Sequence, residues 1–70
     1  MIIEFKGRKP TYKQVLTKAT KAVREGADLV EIVWGENAIT LQQTRTGLVS
    51  WGWIKNISGY QIAQEITNGN

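Results

Sequence analysis

Seventy residues without cysteine or histidine leave room for one small core, and they exclude a disulfide framework, a thiolate metal site and the commonest general base. No stretch approaches the roughly 18 apolar residues of a membrane span, so a soluble chain of a reducing, cytoplasmic compartment is expected, with no membrane partner. The net charge of +3 is unevenly spread: residues 1–25 carry seven Lys or Arg against two Glu, a balance of +5, and residues 26–70 carry two against four, a balance of −2.

Ile2 to Lys6 alternates as a short strand, with Ile3 and Phe5 on one face and Glu4 and Lys6 on the other. A carboxylate inside so brief an apolar run argues against a secretory signal. Gly7 and Pro10 end the strand. Thr11 and Gln14 have the spacing of a capping box, which predicts a helix from Tyr12, with Gly26 as its stop. Tyr12, Val15, Leu16, Ala19, Ala22 and Val23 recur at three- and four-residue steps and form its apolar stripe. Lys13, Gln14, Thr17, Lys18, Lys21 and Arg24 form the outer, basic face.

Residues 29 to 55 read as a three-stranded meander. A three-residue loop at Arg45, Thr46 and Gly47 pairs Thr44 with Leu48, which sets Leu41 opposite Trp51 and Ile39 opposite Trp53. A two-residue turn at Glu36 and Asn37 sets Trp34 opposite Ile39 and Ile32 opposite Leu41. The expected core face is then Val30, Ile32, Trp34, Ile39, Leu41, Val49, Trp51 and Trp53. The expected open face is Glu31, Val33, Thr40, Gln42, Thr44, Ser50, Gly52 and Ile54. Ser58 with Gln61 repeats the capping-box spacing, and Ile57 with Ile62 that of a hydrophobic staple. A second helix is therefore predicted from Gly59 to about Thr67, with Ile62, Ala63 and Ile66 inward and Asn68 to Asn70 as a frayed end.

The expected fold is a single α+β domain over residues 1–70 in βαβββα order. Its sheet is four-stranded and mostly antiparallel, with both helices packed on one face. A right-handed crossover makes the first two strands parallel. The first strand has two candidate neighbours, the second strand or the fourth.

Chemistry is scarce. The carboxylates Glu4, Glu25, Asp28, Glu31, Glu36 and Glu65 are scattered over strand, helix and turn, without a spacing that builds a catalytic dyad or a metal site. Glu4 and Glu31 meet on the polar sheet face if the first two strands are neighbours, and an exposed surface pair is the reading of that. No glycine-rich phosphate loop is present. The chain is expected to be no enzyme and to need no metal or cofactor.

What stands out is Lys6, Gly7, Arg8, Lys9 and Pro10 leading straight into the first helix, where cations are mildly disfavoured by the macrodipole. Sites that break a local rule are candidates for function. A bound phosphate reverses the penalty, taking the amides near Tyr12 and Lys13 while Arg8 and Lys9 add charge-assisted contacts. The leading expectation is a module that contacts nucleic-acid backbone, with low sequence specificity, through Lys6, Arg8, Lys9, Lys13, Lys21 and Arg24. The pentapeptide Lys6 to Pro10 resembles the Gly-Arg-Lys-Pro core of the AT-hook, a peptide that binds the minor groove. Here Lys6 stands in place of that motif's first Arg, and the segment is held between a strand and a helix.

The rival expectation is a protein-interaction accessory, regulatory or inhibitor domain. It would act through the open sheet face or an edge strand, as a homodimer or with a different protein, using Thr40, Gln42, Ser50 and Ile54 with Tyr60 at the flank. Trp51, Gly52 and Trp53 have the interleaving of a platform for single-stranded bases. The pairing above instead turns both indoles toward the core.

Overall fold

The side chain of Thr11 accepts from the Gln14 amide at 3.1 Å, and the Gln14 side chain accepts from the Thr11 amide at 2.9 Å. This reciprocal cap starts a helix at Tyr12, as its spacing predicts. The computed structural model describes residues 1–69. Its elements are β1 (Ile2–Phe5), α1 (Tyr12–Arg24), β2 (Leu29–Trp34), β3 (Asn37–Thr44), β4 (Gly47–Ile54), β5 (Ile57–Ser58) and α2 (Gly59–Gly69).

The chain is an α+β fold with a five-stranded mixed sheet in the order β1-β2-β3-β4-β5. β1 lies beside β2, parallel to it, and the remaining pairs are antiparallel. The fifth strand corrects the expected four. It is only two residues long, paired with Trp53 and Ile54, too short to leave an alternation in the sequence. The Met1 ammonium donates to the Leu29 carbonyl at 2.9 Å, and the Met1 carbonyl accepts from Glu31 at 2.9 Å, extending the parallel pairing. Asn68 and Gly69, expected to fray, belong to α2, and Asn70 lies outside the described residues.

Both helices cover the same side of the sheet. Val15, Ala19 and Ala22 of α1 and Ile62 and Ala63 of α2 share one buried cluster with Val30, Ile32, Ile39, Leu41, Ile54 and Ile57. Tyr12, Leu16, Val23 and Ile66 pack at its margin, so the helical stripes read from the sequence are the buried ones. The Tyr12 hydroxyl is enclosed without a hydrogen-bond partner. Burial chiefly, and the Glu65 carboxylate secondly, push its pKa above the ordinary 10.0.

The β2–β3 turn is Gly35 and Glu36, because Trp34 pairs with Asn37. Gly35 has φ of 60° and occupies the first central position, where a type II′ hairpin takes glycine. The expected turn at Glu36 and Asn37 is thus displaced. Pairing partners move by two residues, Ile32 opposite Ile39 and Val30 opposite Leu41, and an even shift keeps every side chain on its expected face.

The β3–β4 turn shifts by an odd step. Thr44 pairs with Gly47, leaving a two-residue turn at Arg45 and Thr46 in place of the three-residue loop. The Thr44 hydroxyl donates to the Gly47 carbonyl at 2.8 Å and accepts from the Thr46 amide at 3.3 Å. Leu41 consequently faces Ser50, Ile39 faces Gly52, Thr40 faces Trp51 and Ala38 faces Trp53. One residue of slip inverts the whole strand. Leu48, Ser50, Gly52 and Ile54 turn toward the helices, whereas Val49, Trp51 and Trp53 turn away from them, with Trp51 53% and Trp53 63% exposed.

The steric reason lies in two glycines. α2 sets its first residue directly on β4, where a side chain on Gly59 would meet the Ile39 Cγ2 at 3.0 Å and the Trp51 and Gly52 carbonyl oxygens at 3.1 Å. There is no room for indoles between this helix and that strand. Gly52 itself has φ of 96°, and a Cβ on it would overlap the Ala38 carbonyl oxygen. Gly59 thus lets α2 lie close on β4, and Gly52 lets β4 lie close on β3.

Candidate interaction surfaces

Two surfaces are built around the core, one on each layer. The first is the basic margin of α1. Lys6 and Arg8 are exposed and Lys9 half-buried in the loop that joins β1 to α1. This loop is tied down by the Trp34 indole, whose Nε1 donates to the Gly7 carbonyl at 2.9 Å. The capping box occupies the Thr11 and Gln14 amides, two of the donors that an anion would otherwise meet at this terminus.

Lys13 and Arg24 are exposed on one line of the helix. Eleven residues at 1.5 Å each separate them by about 16 Å. Lys21 pairs with Glu25 at 3.0 Å, the only ion pair among the described residues. The six predicted cations therefore form two groups: Lys6, Arg8, Lys9 and Lys13 at the start of α1, and Lys21 and Arg24 at its far end, where Glu25 offsets one charge.

The second surface is the sheet face that no helix covers. The pairings set its side chains in rows across the strands. One row runs Leu29, Gln42, Val49. The next runs Ile2, Glu31, Thr40, Trp51, and the third runs Glu4, Val33, Ala38, Trp53. Ile2, Leu29, Val49, Trp51 and Trp53 are all among the exposed large hydrophobic residues. The face is apolar along β4, carries Glu4 and Glu31 along β1 and β2, and holds no Lys or Arg within these rows.

Of the residues predicted for a protein interface, Thr40 and Gln42 stand on this open face. Ser50 and Ile54 do not: the register slip places Ser50 on the helix side and buries Ile54 completely. Tyr60 is 67% exposed in the first turn of α2, in the helix layer. The sequence reading missed the residues that dominate this face, Trp51 and Trp53. The signal that could have found them is the pair Gly52 and Gly59, since glycine inside a strand marks a close backbone approach. Glu4 and Glu31 lie diagonally on neighbouring strands, as their parallel pairing requires.

Among the described residues no group of three acidic side chains is placed to hold a metal ion, and no helix is long and apolar enough to cross a membrane. Comparison of the chain with protein-family models, with curated proteins and with solved structures finds no match.

Proposed function

We propose that the chain is a non-enzymatic protein-interaction module whose contact surface is the open face of the sheet. One observation carries this reading: Val49, Trp51 and Trp53 line one side of β4 on a face covered by no other element, with exposed Leu29 and Ile2 farther across the same face on β2 and β1. Leaving both indoles more than half exposed forgoes part of the roughly 1.5–3 kcal/mol that full burial of a large apolar side chain supplies. Contiguous apolar patches on a small domain mark binding sites, and Trp is enriched among residues that dominate binding energy. Glu4 and Glu31 on the same face repel phosphates, so the charge favours protein over nucleic acid here.

The test is a photo-cross-linking residue placed at Trp53 in one chain and at Thr17, on the outer side of α1, in another. Covalent protein adducts from position 53 and few from position 17 are expected. Adducts only from position 17, or nucleic acid captured at position 53, overturn the reading.

A second reading rests on its own observation. Lys6, Arg8, Lys13 and Arg24 are exposed and, among the described residues, free of ion-pair partners. On this reading the α1 margin contacts nucleic-acid backbone without sequence preference. Four engaged cations give a log–log salt slope on duplex DNA on the order of −4, and a slope near zero removes it.

A further inference from the structure

We propose that the occupant of the open sheet face is a second copy of this chain, stacked face to face about a twofold axis that runs parallel to the strands between β2 and β3. This rests on the reading of that face as a protein-binding surface and names its partner.

Area gives the first argument. The domain measures 34 × 20 × 18 Å, and a sheet plus one helix layer fills only about 20 Å of thickness. The 34 Å axis therefore lies in the plane of the sheet, and the open face is one of two broad faces, about a fifth of the 4825 Å² surface. A stable interface of standard size takes about 800 Å² from each partner. The whole open face, and little else, supplies that.

Charge and shape give the second. A twofold axis along the strands lays β1 over the partner's β4 and β2 over the partner's β3, with the rows in step. Glu4 then meets Trp53 of the partner subunit, Glu31 meets the partner's Thr40, Ile2 meets the partner's Trp51, and Val33 meets the partner's Ala38. Each carboxylate is opposed to a side chain that can donate a hydrogen bond, and the bulkiest residues fall over the far column. Aligned sheets cross at about 30° and stack about 10 Å apart. That angle shifts the outer columns by about one residue and keeps these groups in reach.

The alternative axis, perpendicular to the strands through the middle row, stacks Trp51 on its own copy and Glu31 on its own copy. Like carboxylates would be desolvated against each other, an arrangement that disfavours itself. The same geometry explains the partition of charge in the molecule. Stacking two sheets leaves both basic α1 margins on the outside, where a net positive surface stays in water.

Sedimentation equilibrium on the full chain from low to high micromolar concentration tests this. A mass rising from 7.9 kDa toward twice that value is expected, weakened at least about tenfold in Trp51→Gln/Trp53→Gln. Because the chain has no cysteine, Glu31→Cys and Thr40→Cys made on separate chains report the axis. A short bis-maleimide, which bridges thiols across sheets about 10 Å apart where a direct disulfide cannot, should join the mixture faster than either variant alone. Cross-linking of each variant with itself, but not in the mixture, overturns the arrangement. A mass fixed at 7.9 kDa overturns the second copy as occupant and leaves the open-face reading to the photo-cross-linking test. A dimer indifferent to both tryptophan substitutions overturns both.

Discussion

Trp51 stands directly across β4 from Thr40 of β3, an indole beside a small hydroxyl residue on the side of the sheet that neither helix touches. That one pairing decides the character of the molecule. Were Trp51 opposite Leu41 instead, the indoles would be core and the open face would be an ordinary polar surface. As it is, Ser50 faces Leu41 and Gly52 faces Ile39 on the inner side, and the apolar bulk of β4 lies outside.

The two faces of β4 should respond oppositely to truncation. Trp51→Ala or Trp53→Ala should cost less than about 1 kcal/mol in the dilute monomer, the scale of an exposed cross-strand pair. Ile39→Ala, wholly buried, should cost about 2–5 kcal/mol. Urea unfolding at low concentration measures both, and a tryptophan truncation as costly as Ile39→Ala would place the indoles in the core.

Gly52→Ala should be more harmful than its size suggests. The residue sits at φ of 96° with no space for a Cβ beside the Ala38 carbonyl. Backbone strain alone costs about 1–3 kcal/mol, and relief of the overlap would pry β3 from β4. A thermal melt unchanged by this substitution would deny the close approach of β4 to the Ala38 carbonyl of β3.

Tyr12→Phe should stabilise the fold by about 1 kcal/mol, because the enclosed hydroxyl has no partner and its removal ends a desolvation penalty. The pH dependence follows in sign. A folded-state pKa raised above the unfolded value means the folded state holds its proton longer. The associated stability is fully present below about pH 10 and is lost as pH rises through the raised value. Tyr12→Phe should lack this alkaline loss, as denaturant melts at successive alkaline pH values would reveal.

Trp34→Phe keeps an aromatic ring, though a smaller one, near the core and removes the donor to the Gly7 carbonyl. A loss of about 0.5–1.5 kcal/mol is expected. Faster amide exchange should appear in the Lys6–Lys9 loop and spare α2. Uniformly faster exchange would mean that the bond fixes the whole domain and not the basic loop.

Much of this was legible from residue types alone. Thr11 with Gln14 announced α1, and Ser58, which accepts from the Gln61 amide at 3.4 Å, announced α2. The inward stripes of both helices, and the faces of β2 and β3, followed from period. The β3–β4 register did not. Val49, Trp51 and Trp53 outweigh Leu48, Ser50 and Gly52 in hydrophobicity, so pattern alone sends the indoles inward. What overrules it is steric and non-local: Gly59, seven residues after Gly52, brings a helix onto the strand. β5 escaped because two residues carry no alternation, and its turn holds Lys55 at φ of 54°, a left-handed conformation that residue type does not suggest. The basic cluster was legible as residues. Its division between the two ends of α1 became visible only with the Lys21–Glu25 pair in place.

Acrylamide quenching of the tryptophan emission of a Trp34→Phe chain, in which Trp51 and Trp53 are the only indoles, addresses the central claim most directly. In dilute solution both indoles, more than half exposed, should be readily quenched, with protection appearing as concentration rises and the face is covered. Indoles already shielded at the lowest concentration would contradict the outward register and the contact surface built upon it.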